Sequence, residues 1–116
     1  MPEAAIPPLA DSLSRLTPGQ RILSVAAEMH RARNWMERRD LEEMRRCYAR
    51  ALDLMDRLCG LADRPKALGE YRRWRELTAG LFIREIPSME EHKLLEDTLI
   101  LLHPESWNAF FTPSAA

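Results

Sequence analysis

RRDLEEMRRCYARALDLMDRLCG, residues 38–60, carries the strongest periodicity in the chain. Its apolar residues, Leu41, Met44, Tyr48, Ala51, Leu52, Met55 and Leu58, recur at steps of three and four. That spacing places them on one face of a helix. Asp40 is suited to be its N-cap, with Glu43 three residues on to complete a capping box. Gly60 is suited to the C′ position that ends it. The arginines fall on the opposite side: Arg46, Arg50, Asp53 and Arg57 share one outward stripe, and Arg45 flanks it. Glu42 precedes Arg46 by four and Asp53 precedes Arg57 by four, the favourable orientation for pairs along a helix. Arg45 and Arg50 have no such local partner.

Working outward, TPGQ at 17–20 reads as a helix start, with Thr17 as N-cap, Pro18 at the first helical position and Gln20 closing a capping box. Ile22, Val25, Ala26, Met29, Ala32 and Met36 give that helix an apolar face. It breaks near Arg39, so the turn to the next helix is tight and the two should form an antiparallel hairpin. A third helix begins at Pro65, with Leu68, Tyr71, Trp74 or Arg75, Thr78, Leu81 and Phe82 facing inward, and is stopped by Pro87. Ser88 and Glu91 open a fourth, running to about Leu102, which His103-Pro104 terminates. Residues 104–111 read as a short amphipathic turn whose Trp107, Phe110 and Phe111 seek a hydrophobic groove. No strand survives. The expectation is an all-α antiparallel bundle of four helices, a three-helix core plus a C-terminal helix, over residues 17–111. Residues 1–16, with prolines at 2, 7 and 8, read as a flexible arm that Ile6, Leu9, Leu13 and Leu16 could lay along the bundle, and 112–116 as a tail.

At 116 residues the chain can close one core without disulfide or metal support. Cys47 and Cys59 lie on one helix about 18 Å apart, too far for a disulfide, and read as buried thiols. No apolar run approaches the roughly 18–20 residues of a membrane span, and MPEAAIPPLADSLSR lacks the basic and apolar regions of a signal. The expectation is a cytoplasmic protein without membrane contact.

Charge is unevenly placed. Residues 31–75 carry net +5 and residues 76–116 net −5, within a total of −1. Such an asymmetry marks a partner surface or is satisfied within the fold. The second is the expectation, the acidic end lying against the basic middle.

Catalytic and cofactor motifs are missing: there is no Walker A loop, no Rossmann fingerprint, no G-x-S-x-G and no H-E-x-x-H. His30, His92 and His103 show no metal-ligand spacing, and Glu90, Glu91, Glu96 and Asp97 read as a solvated face. The chain reads as non-enzymatic, with neither metal nor cofactor. What is left is a binding surface. Arg45, Arg46, Arg50 and Arg57, with Arg72, Arg73 and Trp74 of the third helix, compose the candidate partner site: charge steering around one aromatic anchor. Trp74, among RRWRE, is either half-buried by a neighbour or exposed. An exposed anchor could be truncated without loss of melting temperature. Nucleic acid would also want arginines, but the whole chain lacks the basic excess of such a binder. A homodimer through an apolar face of the 88–102 helix is a further possibility.

The stretch A-x-x-W-M-E-R-R-D-L-E-E-M-R-R-C-Y-A-R-A-L-D-L resembles a single tetratricopeptide-type hairpin, carried by Ala32, Trp35, Met44, Tyr48, Ala51 and Leu52. Met44 replaces the usual alanine, Asp56 stands where proline is common, and there is no second repeat. With the third helix following, residues 21–84 are more similar to the three-helix microtubule-interacting-and-trafficking type of domain. That resemblance implies a groove between helices that receives a partner's helix or extended peptide. In size and helix pattern the chain is also similar to small flagellar and secretion export chaperones, in which a C-terminal amphipathic segment docks or releases. Segment 104–111 would take that part.

Overall fold

The computed structural model describes residues 9–111, and these are all helical or connecting, without strands. Six helices follow in order: α1 (Leu9–Ser14), α2 (Pro18–Glu37), α3 (Leu41–Leu61), α4 (Pro65–Phe82), α5 (Met89–Ile100) and α6 (Pro104–Phe111). Residues 1–8 of the expected arm and the tail 112–116 lie outside the described residues, as do the side chains of Phe110 and Phe111. Part of the arm is therefore helix α1, whose Leu13 is buried in the core.

Local chemistry sets most of the boundaries. Thr17 accepts from the Gln20 N–H while the Gln20 side chain accepts from the Thr17 N–H, a complete capping box. Asp40 and Ser88 accept from the N–H groups of Glu43 and Glu91. Gly60 behaves otherwise than expected. Helix α3 runs through it to Leu61, and no glycine adopts a positive φ. The chain leaves the helix at Ala62 (φ −64°, ψ 131°), and Pro65 then holds Arg64 extended (φ −140°, ψ 141°).

The α2–α3 turn is as tight as the sequence requires. Arg39 takes φ 62°, the Asp40 N–H donates to the Trp35 carbonyl and the Arg39 N–H to that of Met36. This is a Schellman motif with arginine where glycine is favoured. Arg39→Gly should therefore raise stability by about 0.5–1 kcal/mol, read as a higher denaturant midpoint at unchanged slope.

Helix α2 packs on α3, α5 and α6; α3 also meets α4, and α4 meets α5. The long helices thus form a closed ring, α2–α3–α4–α5, around one core. Ile22, Val25, Met29, Met44, Tyr48, Met55, Leu58, Trp74 and Leu99 are fully or almost fully buried there. Helix α6 is seated by its polar end. The Glu105 carboxylate accepts from the Thr17 hydroxyl and from the Gly19 N–H, completing the α2 N-terminus, where negative charge is favoured. Position 19 has to be glycine for this approach, since a Cβ there would stand 2.5 Å from Glu105. The groove expected for Trp107 is not deep: its ring is still 41% exposed.

Among the described residues no helix is long and apolar enough to cross a membrane.

Candidate interaction surface

The arginine stripe of α3 is largely occupied by the protein's own groups. Arg46 pairs with Glu43 and, at 3.3 Å, with Glu42; Arg57 pairs with Asp53 at 3.1 Å. Arg50 reaches across to Glu28 on α2 at 3.0 Å and also donates to the Cys47 sulfur. Arg45 donates to the carbonyls of Phe82, Arg84 and Glu85, closing the C-terminal end of α4. The two arginines without a neighbour in sequence therefore find partners on other elements. On α4, Arg75 makes a bidentate pair with Asp56 of α3, at 2.8 and 3.2 Å. Arg72 and Arg73 are exposed, and neither forms an ion pair among the described residues.

Trp74 is a correction. It is 2% exposed, and its indole N–H donates to the Leu95 carbonyl at 2.8 Å. Helix α5 covers this side of α4, so the ring is a core residue and not a surface anchor. The expected site does not come together: its arginines of α3 are engaged and its aromatic is inside.

The acidic segment is corrected in two ways. Glu96 is not part of a solvated face; it lies 3.2 Å from the Arg33 guanidinium and 3.0 Å from His92 Nε2. His92, fully buried, also stands 2.9 Å from the Met29 carbonyl and 2.6 Å, through Nδ1, from the Tyr48 hydroxyl. Both groups facing Nε2 are acceptors, so Nε2 carries hydrogen, and in the neutral ring Nδ1 accepts from Tyr48. The sequence held a signal for this: His92, Leu95 and Leu99 stand at helical spacing on one buried face. Burial, then the Glu96 charge, pushes the Tyr48 phenol well above its ordinary range. Burial likewise pushes the Cys47 and Cys59 thiols up, which leaves them poor nucleophiles. Among the described residues no group of three His, Cys, Asp or Glu is placed to hold a metal.

The second correction concerns charge. Among the described residues a single ion pair, Arg33–Glu96, joins the basic middle to the acidic end. Arg46, Arg57, Arg64 and Arg75 pair with carboxylates of the middle itself and Arg31 and Arg50 with Glu28, while Glu90 and Asp97 are exposed and form no ion pair among the described residues.

The fold leaves apolar surface exposed as well as charge. Leu77 is 50% exposed, Ile83 80%, Ile86 70%, Leu94 65% and Leu101 58%. All belong to α4, α5 and the segments that follow them. Between the two helices runs a groove of about 330 Å³, floored by Leu81 and Leu95, with Leu77 and Leu94 on its sides. Gly80 adds no side chain to it, and the Arg84–Glu91 pair at 2.7 Å closes one end. These leucines were legible as residues off the inward stripe of their helices, but nothing local said that they share one face.

Comparison with protein families, with curated proteins and with solved structures found no match to this chain.

Proposed function

We propose that the protein is a small, non-enzymatic, cytoplasmic interaction module that binds protein through the apolar face of α4 and α5. We read the ring α2–α3–α4–α5 as the antiparallel four-helix bundle of the sequence pattern, with α1 and α6 as additions to it. The observation that carries the functional reading is the pair of exposed leucines, Leu77 and Leu94, on the two sides of the α4–α5 groove. Burying such side chains is favourable by roughly 25 cal/mol per Å² of apolar surface, and clusters of them mark interaction sites. The groove supports the mode of binding implied by the hairpin resemblance, a helix or extended segment laid between helices. Of the arginines in the expected site, Arg72 and Arg73 of α4 are exposed and form no ion pair among the described residues. Nucleic acid is disfavoured, because phosphate binding needs uncommitted guanidinium groups and Arg46, Arg50, Arg57 and Arg75 already hold carboxylates.

A photo-crosslinking residue placed at Leu94 should give protein adducts in cells, and the same residue placed at Arg57 should give few. Equal yields at the two positions, or more at Arg57, would sink the assignment of the face.

A further inference from the structure

We infer that the pocket at the N-terminal end of α4 is a binding site for a small oxyanion, a free phosphate or carboxylate. It lies at the other end of α4 from the α4–α5 groove and is independent of the protein-binding reading. The pocket is a hollow of about 350 Å³ where α4 meets the α5–α6 link and the start of α2. Arg64, Ala67, Tyr71 and His103 bring its polar groups, Pro18 and Leu102 give it apolar walls, and Asp63 is the carboxylate that borders it.

Apart from Asp63, these polar groups are donors. No side chain caps α4, and Leu68 is the first residue of the helix whose N–H donates, to the Arg64 carbonyl at 3.1 Å. The N–H groups of Lys66 and Ala67 are therefore left over at the positive end of the helix dipole, where an anion is favoured. Tyr71 points to a ligand independently. It is 5% exposed, yet its hydroxyl forms no hydrogen bond among the described residues. Long side chains on a helix lean toward its N-terminus, so the Tyr71 ring runs back over Ala67, one turn earlier, and carries the hydroxyl into the pocket. A buried hydroxyl without a partner is costly, and a ligand oxygen would satisfy it. Burial pushes this phenol up, so it stays a donor at neutral pH. His103 Nδ1 accepts from the Glu105 N–H at 3.0 Å, which in the neutral ring leaves the hydrogen on Nε2. Arg64 stands 3.8 Å from Asp63 with both side chains mostly exposed, so its guanidinium is only loosely held. The charges acting on the Tyr71 hydroxyl are Asp63, Arg21, Arg64 and Glu70, and they balance, so the helix end tips the field positive. A small oxyanion brings negative charge and acceptors on several sides, which is what this set of donors lacks.

Amide chemical shifts of the full chain test this, titrated with sodium phosphate and separately with sodium acetate, the ionic strength being held constant with sodium chloride. At least one of the two salts should give saturable shifts centred on Lys66, Ala67 and His103. Tyr71→Phe keeps the ring, removes the hydroxyl and should weaken binding about tenfold. Arg64→Asp puts a carboxylate of the chain itself at the N-cap, where aspartate is favoured. Because Arg64 is exposed, that variant should stay folded, and it should no longer bind either anion. Shifts that rise without saturating in both salts overturn the inference. Saturable binding that leaves these amides unmoved, or that either substitution leaves unchanged, overturns it as well.

Discussion

Replacing Trp74 by alanine should lower the stability of this protein by about 3–5 kcal/mol, the usual loss when a large aromatic is removed from a packed core. The indole is 2% exposed and ties α4 to α5 through the Leu95 carbonyl. Truncation opens a cavity and takes away that hydrogen bond at once. Domains of this size are stable by only about 5–15 kcal/mol, so the variant should be partly unfolded at growth temperature. Urea titration measures the loss, and Trp74→Phe separates its parts. The phenyl ring keeps most of the volume and forfeits the N–H, for an expected loss of about 1–3 kcal/mol. A change below about 1 kcal/mol for Trp74→Ala would mean that the ring is not packed as described, and would return it to the list of surface anchors.

The second large effect is expected at His92. His92→Leu nearly keeps the volume but leaves the Tyr48 hydroxyl buried without its imidazole acceptor and the Met29 carbonyl without its partner, and puts an apolar side chain against the Glu96 carboxylate. Breaking such a buried set from one side should lower stability by about 3–5 kcal/mol. Tyr48→Phe removes one donor only and should lose about 1–3 kcal/mol. The pH dependence has a definite sign. The unfolded chain ionises its phenol near the ordinary value of 10.0, whereas the folded chain holds that proton to higher pH. Above that value the native state binds more protons than the unfolded one, so stability falls as pH rises. The contribution is intact below 10.0 and is lost on the alkaline side. Tyr71, Cys47 and Cys59 are raised by burial too and add to the fall. Denaturant midpoints from neutral to strongly alkaline pH should decline, and less steeply in Tyr48→Phe. An equal slope in the two proteins would show that Tyr48 ionises as freely folded as unfolded.

The segment Arg38–Gly60 shows how far local reading reaches. Its N-cap at Asp40, its buried stripe from Leu41 to Leu58, and the Glu42–Arg46 and Asp53–Arg57 pairs are all as the residues imply. Each is an interaction within about one helical turn, where the backbone itself sets the distance. The same segment fails at its far end, because Gly60 is permitted to leave the helix and is not compelled to do so. Arg45 and Arg50 appeared available only because their partners, at Phe82–Glu85 and at Glu28, come from other helices.

The candidate site moved for the same reason. Leu77 and Leu94 lie far apart in the chain and become neighbours only when α4 and α5 pack in one rotation and one level. That packing also buries Trp74, whose exposure the sequence left open, and draws in Glu96, which the sequence placed on a solvated face. The sequence by itself determined that this chain is helical, where most helices begin, and which stripe of each faces inward, because caps, prolines and three-and-four spacing act through bonds one turn long. Only the tertiary structure decided which arginines are free, whether a tryptophan among charges is wet, and which leucines are left without cover. Those outcomes depend on how helices rotate against one another, and no local rule carries that angle.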